Sequence, residues 1–208
     1  MLDFSQVRVD DSLSYQLFFI NVYSWDQANN KFISTAYIYV PTVSGTPNDF
    51  DFFRTAFNDF LHEVSQVRTV REISLWSDNC SKHFKQRYSL KYLSQICYQR
   101  QLKASWNFFG EYHGSGVCDA DAATVKHNIH KRQREYGEII TSAKQIMKIA
   151  HATPNYIGRL VEIEKMDKSG SPMKQVSTCY KFVFNSLGTS LSGYQNSQSS
   201  EASYVWKV

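Results

Sequence analysis

Asp78 and Asp119, about forty residues apart, are the acids best placed by their neighbours to support metal-assisted phosphodiester chemistry. Asp78 follows Leu75-Trp76-Ser77, the end of an apolar run that reads as a buried strand, and is followed by a basic helical segment. Asp119 follows the glycine-loosened turn His113-Gly114-Ser115-Gly116-Val117-Cys118 and opens a second basic helix. A phosphodiester is anionic and resists attack by another anion. Two divalent ions roughly 3.5–4 Å apart can activate the nucleophile and stabilise the leaving oxygen, and carboxylates hold such ions. Oxygen ligands of this hardness suit two Mg²⁺ or Mn²⁺ ions rather than zinc. Each acid also has an ordinary reading. Asp78 could cap the helix that follows it, and Asp119 could be an N-cap with Asp121 complementing the helix dipole. A shift of register would make Asp121 the ligand in place of Asp119.

The elements that must position these acids follow from periodicity. Met1–Val9 suits a short strand, and Tyr15–Trp25 and Lys31–Val40, rich in aromatic and β-branched residues, form a hairpin across the Asp26–Asn30 turn. Phe50, Phe53, Phe57, Phe60, Leu61 and Val64 recur at helical steps, a first amphipathic helix. Arg71–Trp76 reads as a strand, Lys82 to about Tyr98 as a second helix, Ala104–Tyr112 as a strand, and Asp119 to about Tyr136 as a third helix on an Ala122, Val125, Ile129 stripe. Beyond these come a short helix over Thr141–Ala150 and a second hairpin formed by Asn155–Met166 and Lys174–Phe184. Residues 185–203, rich in Ser, Gly, Gln and Asn, predict a flexible tail or linker, with a small returning strand at Tyr204–Lys207. Trp25, Trp76 and Trp106 fall in strand segments and read as core.

Strand, strand, strand, helix, strand, helix, strand, helix is the ribonuclease H-like order. The expected fold is therefore α/β: a mixed five-stranded sheet flanked by helices over residues 1–138, a helix-plus-hairpin α+β extension over 139–184, and a tail over 185–208. In that architecture the first and fourth strands lie side by side and the last helix crosses their ends, so Asp3 joins Asp78 and Asp119 as a candidate catalytic and metal-binding triad.

The residues Ser77-Asp78-Asn79-Cys80 with Phe84-Lys85-x-Arg87, then Trp106-Asn107-Phe108, then His113-Gly114-x-Gly116-x-Cys118-Asp119 and Val125-Lys126 carry a resemblance. Over about residues 1–135 the chain resembles transposon-derived ribonuclease H-like proteins, relatives of DDE/DDD-type transposases and integrases. Asp3-Phe4-Ser5 is similar to that group's first motif. The resemblance implies Mg²⁺-dependent or Mn²⁺-dependent DNA strand cleavage or transfer, with DNA as the partner and a separate or lost DNA-targeting domain. It leaves a homo-oligomer open. Two other readings stand beside it: a ribonuclease H-like nuclease without strand transfer, and a catalytically silent domesticated domain that only binds nucleic acid or protein.

Charge distribution bears on the same partner. The formal net charge of +4 is mild, but Lys82 to Lys103 contains bases and no acid, and positive residues gather again from Lys126 to Arg134. Lys85, Arg87, His113, Lys126, Lys131, Arg132 and Arg134 are the candidate nucleic-acid contacts. Four scattered cysteines without a Cys-x-x-Cys pair argue against a zinc ribbon or a disulfide scaffold. No run approaches about 18–20 continuous apolar residues, and the N-terminus lacks a secretory pattern. An intracellular protein is expected, nuclear if its source is eukaryotic.

Overall fold

The computed structural model describes residues 1–10, 13–26, 29–47, 49–78, 83–109, 116–166, 173, 176–184, 190–195 and 201–207. In chain order the elements are β1 (Leu2–Arg8), β2 (Ser14–Asp26), β3 (Lys31–Pro41), α1 (Phe50–Val67), β4 (Glu72–Ser77), α2 (Arg87–Gln99) and β5 (Lys103–Phe108). They continue with α3 (Val117–Glu135), α4 (Ala143–His151), β6 (Tyr156–Val161), β7 (Lys181–Phe184), β8 (Ser190–Tyr194) and β9 (Tyr204–Lys207). The protein is mixed α/β. It divides into two compact units, each built from two stretches of chain: Met1–Asn48 with Ser115–Glu164, and Asp49–Gly114 with Lys165–Val208. Among the described residues no helix is long and apolar enough to cross a membrane.

In the first unit, β1 pairs antiparallel with β2, β2 antiparallel with β3, and β3 parallel with β6. Alternation puts Val7, Tyr15, Leu17, Phe19, Ala36, Ile38 and Val40 on one face, where they pack against Cys118, Ala122, Val125 and Ile129 of α3 and Ile146, Ile149 and Ala150 of α4. The expected inner stripe of the third helix is therefore its buried face. Gln133 of α3 donates from Nε2 to the Val9 carbonyl at 2.8 Å, and Asn128 donates to Thr153 Oγ1 at 3.0 Å.

In the second unit, β4 runs parallel to β5, and β5, β7, β8 and β9 follow antiparallel. Asp49 caps α1 by accepting from the Asp51 and Phe52 amides at 3.0 and 3.2 Å. Behind that cap, Phe53 lies within 6.0 Å, between ring centroids, of Phe57, Phe84, Tyr92 and Trp106. This aromatic cluster is the core, and the buried Trp106 indole N–H finds Ser77 Oγ at 3.0 Å.

Four expectations are corrected. The second hairpin does not form: β6 joins β3 and β7 joins β5, so the stretch 139–184 is divided between the two units. Trp25 and Trp76 are 47% and 43% exposed, Trp76 because it lies on the outer face of β4 and Trp25 because it lies near the end of β2, beyond the buried stretch of the face it shares with Phe19, and only Trp106 of the three is core. The second helix starts only at Arg87, because Gln86 before it is extended and acts as the N-cap. Within the expected tail, Ser190–Tyr194 is a strand whose Leu191 and Gly193 face inward.

Gly158 of β6 marks the closest approach of α4 to the sheet. A Cβ there would meet the Met147 carbonyl oxygen at 2.4 Å and the His151 backbone nitrogen at 3.2 Å. Gly158→Ala is expected to destabilise the protein by about 1–3 kcal/mol through overpacking, measured as a lower urea midpoint at unchanged m-value.

Candidate functional site

The site in the first unit begins with strand register. Asp3 lies opposite Phe19, and Phe19 opposite Ile38, so Asp3 stands on the face that α3 and α4 cover. One row away, Asn21 lies opposite Ala36 and Ala36 opposite Tyr156. Asn21 therefore shares that face and is a diagonal neighbour of Asp3, at the roughly 7–8 Å typical of such pairs. Ala36, between Asn21 and Tyr156, contributes only a methyl group. Its row leaves room for one carboxylate to reach both flanking side chains.

That carboxylate is Asp121. Its Oδ2 accepts from Asn21 Nδ2 at 2.7 Å and its Oδ1 from the Tyr156 hydroxyl at 2.5 Å. The same Asn21 amide approaches Cys118 Sγ at 3.3 Å. Asp121 follows Cys118 by three residues and so lies on the same side of α3, whereas Asp119 is turned about 100° away. Asp119 is exposed, and its Oδ2 accepts from the Gly116 amide at 2.9 Å, a capping contact at the start of the helix. Asp3 is half-buried, and its Oδ1 accepts from the Phe4 amide at 2.7 Å.

Electrostatics tie these groups together. Burial pushes the Cys118 thiol up to about 11; the Asn21 hydrogen bond and the Met1 ammonium oppose it, and Asp3 and Asp121 add to it. That ammonium is itself buried and donates to the Asn21 backbone carbonyl at 2.7 Å. Burial and then the Asp121 hydrogen bond push Tyr156 up to about 12. Tyr23 is raised first by burial and then by Cys118 and Asp121. Asn21 is 3% exposed, and its Oδ1 has no hydrogen-bond partner among the described residues.

The remaining expected residues are dispersed. Asp78 is half-buried just past the C-terminal end of β4, in the second unit. His113 lies outside the described residues. Lys85 corrects the expectation of a phosphate-facing lysine. It is 4% exposed, donates to the Ser177 carbonyl at 2.7 Å and lies over the Tyr180 and Phe108 rings at 4.9 and 5.5 Å. Burial lowers its pKa, opposed by Cys179. Arg87 is half-buried over the Tyr88 ring and bonded to that residue's hydroxyl. On α3, Lys126 is half-buried and Arg134 exposed, while Lys131 lies 3.9 Å from Glu135 and Arg132 pairs with Glu138 at 2.9 Å. Lys131 and Arg132 line a 360 Å³ cleft with Asn128, Tyr136 and Thr153, and their paired acids reduce its positive charge.

Asp121 was legible only as a substitute for Asp119, and Asn21 carried no local signal, since its role arises from pairing across three strands. Among the described residues, no group of three or more His, Cys, Asp or Glu side chains is placed to hold a metal ion. The polar contacts of the first unit centre instead on one carboxylate, Asp121, with the Asn21 amide and the Tyr156 hydroxyl.

These observations define a mixed α/β protein whose first unit carries an acid-rich, oxygen-lined site beneath a helix. The chain belongs to the family described as a domain of unknown function, DUF8701, whose model matches residues 16–183. No curated protein and no solved structure matches it.

The raised thiol and phenol give folding a defined alkaline limit. A group whose folded pKa exceeds its unfolded value supports the fold below the unfolded pKa and loses that support as pH rises through the folded one. For Cys118 the ordinary value is 9.0 and the folded value about 11; for Tyr156 they are 10.0 and about 12. Unfolding free energy from urea titrations should show no pH dependence from these groups below pH 9, where their support is full, and a decline through pH 11. Cys118→Ala should flatten that decline between pH 9 and 11.

Proposed function

We propose that the chain is a ribonuclease H-like, DDE/DDD-type core for metal-dependent cleavage or transfer of DNA strands. The observation that supports this most directly is that the strand acid Asp3 stands on the sheet face that α3 covers, in the same unit as the acids of the first two turns of α3. The order of strands and helices along the chain and the parallel β4–β5 pair also accord with it.

The residues suit the ions that this chemistry uses. Asp3 and Asp121 offer hard oxygen donors, while the nearby Cys118 thiol, pushed up to about 11, keeps its proton at neutral pH and is a poor ligand. Hydrogen bonds from Asn21 and Tyr156 orient Asp121, as outer partners commonly orient a ligating carboxylate. Asp3, Asp78 and Asp119 or Asp121 would hold two Mg²⁺ or Mn²⁺ ions. Once bound, such ions activate the attacking oxygen and stabilise the leaving one. Lys126, Lys131 and Arg134 on α3 would contact phosphates, with Arg132 contributing only if released from Glu138.

The capping bond of Asp119 and the two internal donors of Asp121 favour one other reading, a catalytically silent domain in which these acids only brace the fold. Nuclease assays with Mn²⁺ on plasmid DNA, branched DNA and an RNA–DNA hybrid separate the possibilities. Cleavage should appear with Mn²⁺ or Mg²⁺ and fall by about 100-fold or more in Asp3→Asn and Asp78→Asn. Of Asp119→Asn and Asp121→Asn, the one that matches that loss names the helix ligand. Cleavage confined to the hybrid would select the nuclease without strand transfer. No metal-dependent cleavage of any substrate, with no Mn²⁺-induced thermal shift, would leave the silent domain.

A further inference from the structure

We propose that the second unit carries a binding cleft for a phosphate ester, in which the Arg68 and Arg100 guanidiniums hold the phosphate oxygens. The cleft uses none of the candidate catalytic acids and does not rest on the metal-dependent reading above.

A cleft of about 260 Å³ lies between the last turns of α1 and the chain that leads from α2 into β5, within the second unit. Arg68 and Arg100, the C-caps of the two helices, line it together with Thr69. The ordinary role of an arginine at a C-cap is to answer the last carbonyls of its helix. Here the backbone does so for α2, whose Ile96, Tyr98 and Cys97 carbonyls accept from the Arg100, Gln101 and Leu102 amides at 2.9, 3.2 and 3.0 Å. In α1 the Val64 carbonyl accepts from the Arg68 amide at 3.0 Å. The Arg100 guanidinium makes one long contact, 3.4 Å to the Leu61 carbonyl. The Arg68 guanidinium and the Thr69 hydroxyl have no hydrogen-bond partner among the described residues.

Charge then selects the ligand. Lys131 and Arg132 of the first-unit cleft have Glu135 and Glu138 beside them, but among the described residues no acid lines this one. The two helix C-termini contribute about half a negative charge each, which leaves about one of the two guanidinium charges uncompensated. Arg71 and Lys103, adjacent through a 3.0 Å backbone hydrogen bond, are exposed and add positive charge, against Glu72 opposite Lys103 across the β4–β5 pair. Guanidinium forks match the tetrahedral phosphate group, and two forks from separate elements use more acceptors than one carboxylate offers. Leu61, Val70 and Leu102 make the rest of the lining apolar, which suits the organic part of an ester better than bare phosphate. The cleft borders the start of β4 and Asp78 follows its end, about 20 Å away along a six-residue strand.

The phosphate ester can come from a nucleic-acid backbone or from a free mononucleotide, and one titration distinguishes them. The purified full chain, in EDTA at constant ionic strength, receives adenosine monophosphate, inorganic phosphate or a short single-stranded oligodeoxynucleotide while the Thr69 and Val70 amides are followed by NMR. An ester should shift both amides saturably and bind more tightly than inorganic phosphate. Arg68→Gln and Arg100→Gln should each weaken that binding about 10-fold or more. Lys144→Gln, which removes one exposed charge from the first unit, should leave it unchanged. If Arg100→Gln does not fold, Arg68→Gln decides alone, because its side chain has no partner to lose among the described residues. Saturation by the oligonucleotide, alone or with the mononucleotide, assigns the site to nucleic acid; saturation by the mononucleotide alone assigns it to a free ester. No saturable shift with either ester, equal affinity for inorganic phosphate, or equal weakening by Lys144→Gln would overturn the proposal. Because the titration excludes metal and the cleft excludes Asp78, failure of the nuclease reading would leave this binding in place, and its own failure would leave that reading standing.

Discussion

The site in the first unit depends on the register between β1 and β2. With Asp3 opposite Phe19, the acid stands on the same face as the core residues Val7, Leu17 and Phe19. A slip of one residue would send Asp3 and Asn21 to the opposite face and bring Phe4 and Phe18 beneath α3. Burial constrains this register from both faces, since Leu17, Phe19 and Ile38 on one and Phe18 and Tyr39 on the other are all fully enclosed and closely packed interiors do not accept an exchange of unlike shapes. The position of α3 follows from the same pattern. Cys118, Ala122, Val125 and Ile129 fit that face, and Asp121, next to the stripe, is carried onto the Asn21–Ala36–Tyr156 row.

Much of the architecture was legible because it is local. The alternation in Tyr15–Trp25 and Lys31–Val40 and the phenylalanine steps of Phe50–Leu61 each specify their own element, and all three formed. Partnerships made at long range were not legible. Asn155–Met166 and Lys174–Phe184 read as neighbours because they follow each other, yet β6 found β3 and β7 found β5, each in a different unit. Trp25 and Trp76 misled for a related reason: strand propensity indicates pleated backbone but not which face is covered, as for Trp76, or how far along the strand the cover extends, as for Trp25.

Lys85 shows the same limit in charge. In sequence it belongs to an acid-free basic run and reads as a phosphate contact. In the fold its ammonium lies over Tyr180 and Phe108 and donates to Ser177, partners more than ninety residues away for two of the three. A buried ammonium is tolerated where a carbonyl and ring faces replace water, and its pKa falls accordingly. The lysine thus serves packing in the second unit. Of the expected phosphate contacts that are described, those that remain accessible lie mainly on α3.

Asp121 alone does not require a ligand. Its bonds to Asn21 and Tyr156 link α3 to β2 and β6, and a brace of that kind is sufficient reason for a half-buried carboxylate. The same arrangement holds Asn21 from two sides: its side-chain amide by the Asp121 carboxylate and its backbone carbonyl by the Met1 ammonium at 2.7 Å.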